Sequence, residues 1–340
     1  MCKGSFKNFF LAKTTHRLPK IMTLAVSTCV LAAVVNVDAS ASAIGGKGSN
    51  SVRSNVVWAL ASESFNSQFS GLVKRWGTTS SISPTTPATT TTTSVASSSP
   101  QPVGDIAGPW NLVFDSEFNG SSLDASQWSA DLFGSGYRGP VDPTYGLDVS
   151  AASQVSVGGG SLRIKAIHKT NTSSKGTFPY TSGAVTTMAP TYPWTSPALF
   201  SFTYGYAEAR IWLPASGSKI ADWPAFWMYS TALSHTYPNG EIDILEGMGG
   251  SAEAHLISSA GAQGPLIGGG TYAGGWHTFA VNWEPGSVTY YYDGVSIGDF
   301  TSHVPSTPMF LILNLEVSTI LSPPAAPASM LVDYVRVWQH

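Results

Sequence analysis

The sequence predicts an all-β protein whose main domain is one antiparallel sandwich of two β-sheets. Three observations lead to this fold class. Short segments after residue 104 alternate between apolar and polar side chains with the period of two that belongs to a strand. The chain contains 34 Gly and 22 Pro, which indicates many turns. No stretch of comparable length in this part has a helical period, so sheets must form both layers around the core.

Charge and hydrophobicity exclude two classes of protein. Only 11% of the residues are charged, and the 17 Lys and Arg are slightly outnumbered by the 20 Asp and Glu. A polybasic nucleic-acid binder would carry the opposite excess, so no nucleic-acid partner is expected. Because 43% of the residues are hydrophobic and 11 are Trp, the chain has enough apolar surface to fold around a core and is not a charge-driven disordered chain.

Residues 1–43 have the pattern of an export signal peptide. A basic start precedes the apolar run 21–35, and the small residues 39–43 suit a signal peptidase. The apolar run is shorter than the roughly 20 residues that span a bilayer, so we expect cleavage and secretion rather than stable membrane insertion. An uncleaved N-terminal anchor is the alternative. Cys2 and Cys29 both lie in this leader, so the secreted chain is expected to contain no disulfide.

Two segments separate the leader from the main domain. Within residues 44–76, apolar residues recur at three- and four-residue spacing, which predicts a short helix, either docked on the main domain or lying apart from it; a membrane-surface or partner-binding helix is the alternative. Residues 77–103 are almost all Thr, Ser, Pro and Ala, and are predicted to be an extended linker. The main domain is therefore expected to span residues 104–340.

Strands of the main domain are predicted from alternation. Segments with period two lie at residues 161–168, 206–212, 287–292 and 331–338. The sequence Tyr292-Asp-Gly-Val295 predicts a hairpin turn. Trp110, Trp128 and Trp338 are expected to fill the core.

The most informative stretch is Glu241-Ile-Asp-Ile-Leu-Glu246, which places three carboxyl groups within six residues. In a strand, Glu241 and Asp243 share one face, whereas Glu246, five positions after Glu241, would lie on the other. One extra residue in a β-bulge at Ile244 and Leu245 would return Glu246 to the first face. Such clustering of like charges is costly on an ordinary exposed strand. Spacing alone leaves three interpretations open: catalytic acids, a metal site and solvated surface acids.

Taken with the segments around it, this stretch resembles glycoside hydrolase family 16, the laminarinase and lichenase group. The resemblance covers roughly residues 108–340 and includes several motifs in order. These are Phe114-Asp-Ser-Glu-Phe-Asn-Gly120, Tyr204-Gly-Tyr-Ala-Glu-Ala-Arg210, Trp223-Pro-Ala-Phe-Trp227, Trp276-His-Thr-Phe-Ala-Val-Asn-Trp283, Pro308-Met-Phe-Leu-Ile-Leu-Asn314 and Val332-Asp-Tyr-Val-Arg-Val337.

The resemblance implies a jelly roll of the concanavalin type, with a substrate cleft on the concave sheet, and a retaining mechanism. It implies that Glu241 is the nucleophile, Asp243 a helper and Glu246 the acid/base. No cofactor is expected to be required for catalysis. The family's usual C-terminal Asp ligand for a structural calcium matches Asp333, so a Ca²⁺ ion there is a further expectation.

Five further residues are candidates for substrate binding. The resemblance puts Trp223 and Trp227 near the cleft, where aromatic rings stack on the apolar faces of sugars. Asn314 and His255 hold similar cleft-side positions. Arg210 is expected to hydrogen-bond a sugar hydroxyl or the nucleophile, with a salt bridge at the edge of the core as the alternative.

The sequence also departs from the family. Glu316 and Ser318 stand where laminarinases tend to carry small residues and Gly. Cleft contacts at these two positions are therefore expected to differ from those of laminarinases.

Together, the resemblance and the leader predict a secreted, monomeric, endo-acting hydrolase whose partner is a β-glucan polysaccharide, with β-1,3 and mixed β-1,3/1,4 linkages both open. A cell-wall transglycosylase and a non-catalytic glycan-binding lectin are the alternatives.

Overall fold

The computed structural model describes residues 99–340 except 105, 131, 133–138, 174, 191–196, 234–238 and 319–324. Its described residues form a short 3₁₀ helix, Ala152–Gln154, and the strands of three sheets. In chain order these strands are β1 (Asn111–Ser116), β2 (Asp148–Ser150), β3 (Val155–Val157), β4 (Leu162–Ser173), β5 (Gly176–Ser182), β6 (Ala184–Thr186), β7 (Gly205–Trp212), β8 (Ala215–Ser216), β9 (Lys219–Ile220), β10 (Trp223–Ser230), β11 (Glu241–Met248), β12 (Ser251–Ser258), β13 (Gly261–Ile267), β14 (Trp276–Glu284), β15 (Ser287–Tyr292), β16 (Val295–Phe300), β17 (Met309–Glu316) and β18 (Ala328–Gln339).

Two large sheets form the sandwich, which confirms the predicted all-β fold class. The larger sheet has ten strands in the order β16-β15-β14-β7-β18-β4-β5-β2, with β1 paired to β18 and β3 paired to β4. The smaller sheet has six strands in the order β13-β12-β11-β10-β17-β6. Pairing is antiparallel throughout both sheets apart from the short parallel pair β2 and β5. The strands β8 and β9 form a separate pair.

The main core lies between the two sheets and follows from strand alternation. Every second residue is buried in β12 and in β15, so each of these strands turns one apolar face toward the core. The predicted hairpin between β15 and β16 is confirmed. Its two turn residues, Asp293 and Gly294, have φ values of 50° and 75°, the left-handed pair that a two-residue turn between twisted strands requires.

The smaller sheet is buried on both faces near β10 and β17, where the sequence has continuous apolar runs. All eight residues of β17 are buried. Asn314 and Glu316, which point away from the main core, line a cleft, whereas Phe310 and Ile312 on the same face of β17 join a second apolar cluster beside it. Its buried members are Leu132, Ala184, Met188, Ala225, Trp227, Phe310 and Ile312.

The outer face of the larger sheet is covered by the N-terminal strap, which we define as residues 99–104. The indole of Trp338 donates a hydrogen bond to the carbonyl of Pro100 at 2.8 Å. The amide of Val103 donates to Glu208 Oε2 at 3.0 Å. Beneath it, Trp110, Tyr206 and Trp338 pack as a small aromatic cluster. The domain boundary predicted at Gly104 falls at the end of this strap.

The three core Trp predictions are confirmed, since Trp110, Trp128 and Trp338 are all buried. The predicted signal peptide 1–43, the helix within 44–76 and the linker 77–103 up to residue 98 lie outside the described residues. In the part of the chain that is described, no helix has the length and apolar character needed to cross a membrane.

Candidate active site

The three clustered carboxylates lie on β11, and the predicted bulge is present. Asp243 pairs with His255 on β12, and Glu246 pairs with Glu253. Two residues of β11, Ile244 and Leu245, therefore stand opposite one residue of β12. The register of β11 against β10 shifts at the same place. This extra residue turns Glu246 back to the face that carries Glu241 and Asp243.

That face opens into a cleft of about 460 Å³ on the side of the smaller sheet away from the main core. Glu241, Asp243 and Glu246 line it together. The sequence-predicted residues Trp223, Trp227 and Asn314 line the same cleft. The other lining residues are Val141, Asp142, Pro143, Ala225, Tyr229, Leu233, Ile257 and Glu316.

Asp243 is the deepest of the three carboxyl groups, with 3% of its surface exposed. Burial raises the pKa of Asp243 well above its usual range, and the charges of Glu241 and Glu246 raise it further. A hydrogen bond joins Asp243 to Glu241, while Asp243 Oδ2 has no hydrogen-bond partner. This arrangement favours a neutral Asp243 that donates its proton to the carboxylate of Glu241.

Glu246 is held by two neighbours that differ in chemistry. The indole of Trp223 donates to Glu246 Oε1 at 3.2 Å. His255 Nδ1 lies 2.7 Å from Glu246 Oε2. Burial alone would lower the pKa of His255, but the adjacent carboxylate of Glu246 and the charges of Glu253 and Glu241 outweigh it, so the pKa of His255 is raised. His255 therefore contacts the acid of the cleft and is not itself among the lining residues.

Trp227 and Asn314 form a fixed pair at the floor of the cleft. The indole of Trp227 donates to Asn314 Oδ1 at 2.8 Å, from β10 to the neighbouring strand β17. Both side chains are buried to more than nine-tenths. This hydrogen bond therefore fixes the orientation of the Trp227 indole beside the cleft.

Two tyrosines of the opposite sheet hold the bulged region from behind. Tyr292, on β15, donates through the core to the carbonyl of Ile244 at 3.1 Å. Tyr290, on the same strand, donates to the carbonyl of His255 at 2.7 Å. A bulge removes ladder hydrogen bonds, and these hydroxyls supply buried partners for the carbonyls there. The alternation of residues 287–292 predicted a strand but gave no sign of this long-range support.

Arg210 is not brought to the cleft, which corrects the expectation that it binds substrate. It lies on the outer face of the larger sheet, where its Nη1 is 2.6 Å from Asp333 Oδ2. Its guanidinium also lies 5.0 Å from the ring centre of Trp276. The physical reason is strand alternation: Ala209 and Ile211 point into the core between the sheets, so Arg210 points away from it.

The same ion pair bears on the calcium expected at Asp333. A guanidinium 2.6 Å from that carboxylate supplies the positive charge that a cation would bring, so the residues present do not fit a calcium ion there. Among the described residues, the one group of three or more metal-ligating side chains with ligand atoms within 4.8 Å of one another is Asp243, Glu246 and His255. That group belongs to the cleft.

Comparisons with known proteins agree with this geometry. The family model "Glycosyl hydrolases family 16" matches residues 151–335. The chain is 30% identical over 269 residues to the "Beta-glucanase" of Rhodothermus marinus, covering 69% of this chain and 87% of that protein. It is 29% identical over 278 residues to "Glucan endo-1,3-beta-glucosidase A1" of Niallia circulans, covering 68% of this chain but 38% of that protein.

A solved structure shows the same architecture. The endo-β-1,3-glucanase from Pyrococcus furiosus superposes with a TM-score of 0.55 and 26% identity, over 68% of this chain and 94% of that one. The family model covers more than half of the chain and contains the bulged strand β11 with its three carboxyl groups. The chain therefore belongs to family 16 of the glycosyl hydrolases.

Proposed function

We propose that this protein is a secreted, endo-acting β-glucanase that cleaves β-1,3 linkages, alone or within mixed β-1,3/1,4 chains, with retention of anomeric configuration. The observation that carries this proposal is the bulge in β11, which puts Glu241 and Glu246 on one cleft face with Asp243 between them. The printed names of the relatives, two of which specify endo-1,3 cleavage, support the substrate class.

The contacts of the two Glu residues support a division of roles. Glu241 accepts a hydrogen bond from a neutral Asp243, a contact that orients its carboxylate in the cleft and suits a nucleophile. Glu246 lies against the Trp223 indole and the His255 imidazole. An imidazole with a raised pKa can share a proton with Glu246 as that residue gains and loses one. These surroundings suit a general acid/base.

The resulting cycle has two displacements. Glu241 attacks the anomeric carbon of the bound sugar, the glycosidic bond breaks, and Glu246 gives its proton to the departing sugar oxygen. Water then attacks the same carbon from the side the leaving group vacated, and Glu246 takes a proton from that water as the bond to Glu241 breaks. Two inversions at one carbon give a product with the starting configuration.

The substrate test is a panel of laminarin, lichenan, agarose and xyloglucan, with reducing-sugar release as the readout. We expect release from laminarin, and release from lichenan if mixed linkages are accepted. Proton NMR of the first products should show the β-anomer. Glucan binding without release would favour a lectin, and products longer than the starting oligosaccharide would favour a transglycosylase. An α-anomer as first product would contradict the retaining mechanism.

Secretion belongs to the same proposal and needs a separate test. The basic leader and the small residues 39–43 support cleavage after Ala43. Both cysteines would be removed with the leader. Intact-mass measurement of protein recovered from the culture medium should give a chain that begins near Ile44 and does not react with thiol reagents. A secreted form that still contains Cys29 would contradict it.

A further inference from the structure

One end of the cleft is closed by a contact that the catalytic scheme does not use. Glu316, the last residue of β17, lines the cleft and has 1% of its surface exposed. Its carboxylate is satisfied by backbone rather than by a cation. The amide of Asp142 lies 3.0 Å from Oε1 and 3.2 Å from Oε2, and the amide of Val141 also donates to it. These amides belong to a segment 174 residues earlier in the chain.

A second buried carboxyl group, that of Asp148, ties the chain a few residues after Asp142 to the end of β17. Asp148 is fully buried and accepts hydrogen bonds from the amide of Val317, at 2.7 Å, and from the hydroxyl of Ser182. Leu147 in turn donates to the carbonyl of Val317 at 2.8 Å. Leu147 and Asp148 are thus hydrogen-bonded to Val317, the residue just after Glu316. Both ends of the connection between residues 142 and 148 are tied to the end of β17.

The two carboxyl groups are close enough to affect each other. Burial raises the pKa of Glu316 well above its usual range, and the charge of Asp148 raises it further. Burial also raises the pKa of Asp148, to about 7. Keeping two such acids in the interior is costly, so the contact needs the several amide hydrogen bonds that hold it.

The segment held in this way forms part of the cleft itself. We call residues 141–143 the cleft wall, because all three line the cleft together with Glu241 and Glu246. The wall lies beside β17, two strands away from β11 in the sheet order. The chain just after the wall packs tightly against Glu316 at Gly146. A Cβ placed on Gly146 would lie 1.9 Å from Glu316 Oε1 and 2.4 Å from Pro140 Cβ, so glycine is required there for space.

We propose that Glu316 is a positioning residue that fixes the cleft wall and thereby sets how glucan sugars bind on the β17 side of the catalytic carboxylates. This inference rests on the proposed glucanase function. Because β17 is two strands from β11, the wall lies roughly 10 Å from the catalytic strand, and in this proposal it binds a sugar other than those joined by the bond that breaks. Glu316 therefore acts on the binding of longer chains and not on the chemistry at Glu241.

The test measures kcat and KM separately on laminari-oligosaccharides of increasing length and on an activated aryl glycoside of a disaccharide. In Glu316→Ala the amides of the wall lose their acceptor. We expect KM for long oligosaccharides to rise about tenfold, the size of effect that one lost pocket contact produces. We expect kcat, and both constants for the short substrate, to change less than twofold. Glu284→Ala, on the larger sheet, is the matched control and should leave every constant unchanged.

A second variant, at Gly146, disturbs the same contact through the backbone that packs against Glu316. Gly146→Ala should displace the wall by steric overlap and give the same dependence on chain length. Because both substitutions disturb one contact, the double variant should raise KM by less than the product of the two single effects. Should Glu316→Ala fail to fold, Gly146→Ala still tests the wall. So does Glu316→Gln, which keeps one acceptor oxygen and should give a smaller rise in KM.

The outcomes separate this inference from the function on which it rests. A wild-type protein that releases no sugar from any glucan contradicts the proposed function. A wild-type protein that is active, with Glu316→Ala and Gly146→Ala giving the same KM at every chain length, overturns the role of Glu316. An equal loss on short and long substrates also overturns it, because the residue would then act on the catalytic centre.

Discussion

The ion pairs on the outer face of the larger sheet and the acids on the cleft face of the smaller sheet use the same acidic residue types in opposite ways. On the outer face, Asp333 lies 2.6 Å from Arg210, and Glu117 lies 2.6 Å from Arg336. None of the described residues that line the cleft is Lys or Arg. The acids of the cleft instead lie beside one another and beside aromatic and imidazole groups. Acids that face a cation are neutralised, whereas acids kept without one retain reactivity.

Burial makes this difference larger. Arg210 and Asp333 are each more than one-third exposed, so water screens their attraction and the pair contributes little to stability. Asp243 is almost fully buried between two other carboxyl groups, and its pKa is raised well above the usual range as a result. Holding Asp243 there therefore lowers the stability of the fold in return for a carboxyl group whose proton is held more tightly, whereas the exposed pair of Arg210 and Asp333 carries no such cost.

Removal of Glu241, the proposed nucleophile, should have the largest effect on the cleft side of this comparison. Glu241→Ala should lower kcat on the order of 10⁴-fold or more, because no covalent intermediate can form. Added azide should restore turnover with inversion, since it enters where Glu241 acted. The measurement is kcat with an activated aryl glycoside and the anomeric configuration of the azide product by NMR. Turnover at the wild-type rate would place the nucleophile elsewhere.

Removal of Glu246, the proposed acid/base, should have the next largest effect, and one that depends on the leaving group. Glu246→Ala should slow polymer cleavage by about 10²- to 10⁴-fold, the usual contribution of general acid catalysis. Cleavage of an aryl glycoside with a good leaving group should be much less affected, because it needs little protonation. Azide should rescue this variant with retention. Inversion here, together with retention in Glu241→Ala, would reverse the two assignments.

Substitution of Asp243, the buried acid between the two Glu residues, should lower activity and raise stability. Asp243→Asn should lower kcat about tenfold, equal to ~1.4 kcal/mol of barrier and less than either Glu substitution. Because the pKa of Asp243 is raised on folding, wild type loses stability as pH rises from its unfolded pKa of about 3.9 through the raised folded value.

The Asn variant removes that loss. Its Tm should exceed that of wild type at pH 7, and the difference should shrink as the pH falls toward 4. Thermal unfolding of both proteins across this range is the measurement. A Tm difference that stays constant with pH would show that the ionisation of Asp243 does not carry the cost.

The smallest effect is expected at the exposed ion pair of Arg210 and Asp333 on the outer face. Arg210→Met should change the free energy of unfolding by at most about 1 kcal/mol, because an exposed ion pair is worth that little. It should leave kcat and KM unchanged on every glucan, since Arg210 is on the other sheet from the cleft. Raised salt should reduce the difference further. A clear rise in KM would contradict the placement of Arg210 away from substrate.

Local pattern was sufficient to predict that the three carboxyl groups share one face. Period-two alternation, with one extra residue at Ile244 and Leu245, was enough to place Glu246 beside Glu241 and Asp243. The continuous burial of β17 and the hairpin at Asp293 and Gly294 also follow from short-range rules.

Residues whose role depends on distant contacts were beyond such rules. Arg210 sits in a strand that the sequence indicates correctly, and alternation turns it away from the core, but the larger sheet that holds this strand and the partner Asp333, 123 residues away, come from distant parts of the chain. Glu316 stood out only as a departure from its family, because the amides that it accepts from come from a segment far earlier in the chain. Tyr229 and Ile257 line the cleft as ordinary apolar strand residues, and no local signal separates them from core residues.

The N-terminal strap has a consequence for how the enzyme can be held in place. Because residues 99–104 attach to the outer face of the larger sheet, the chain enters the domain on the surface opposite the cleft. Anchorage through that end leaves the path of a polymer across the smaller sheet unobstructed. A form of the enzyme that begins at residue 99 and is immobilised on a bead through that residue should therefore digest a soluble glucan as fast as the untethered protein, whereas random coupling through surface lysines should obstruct a fraction of the clefts.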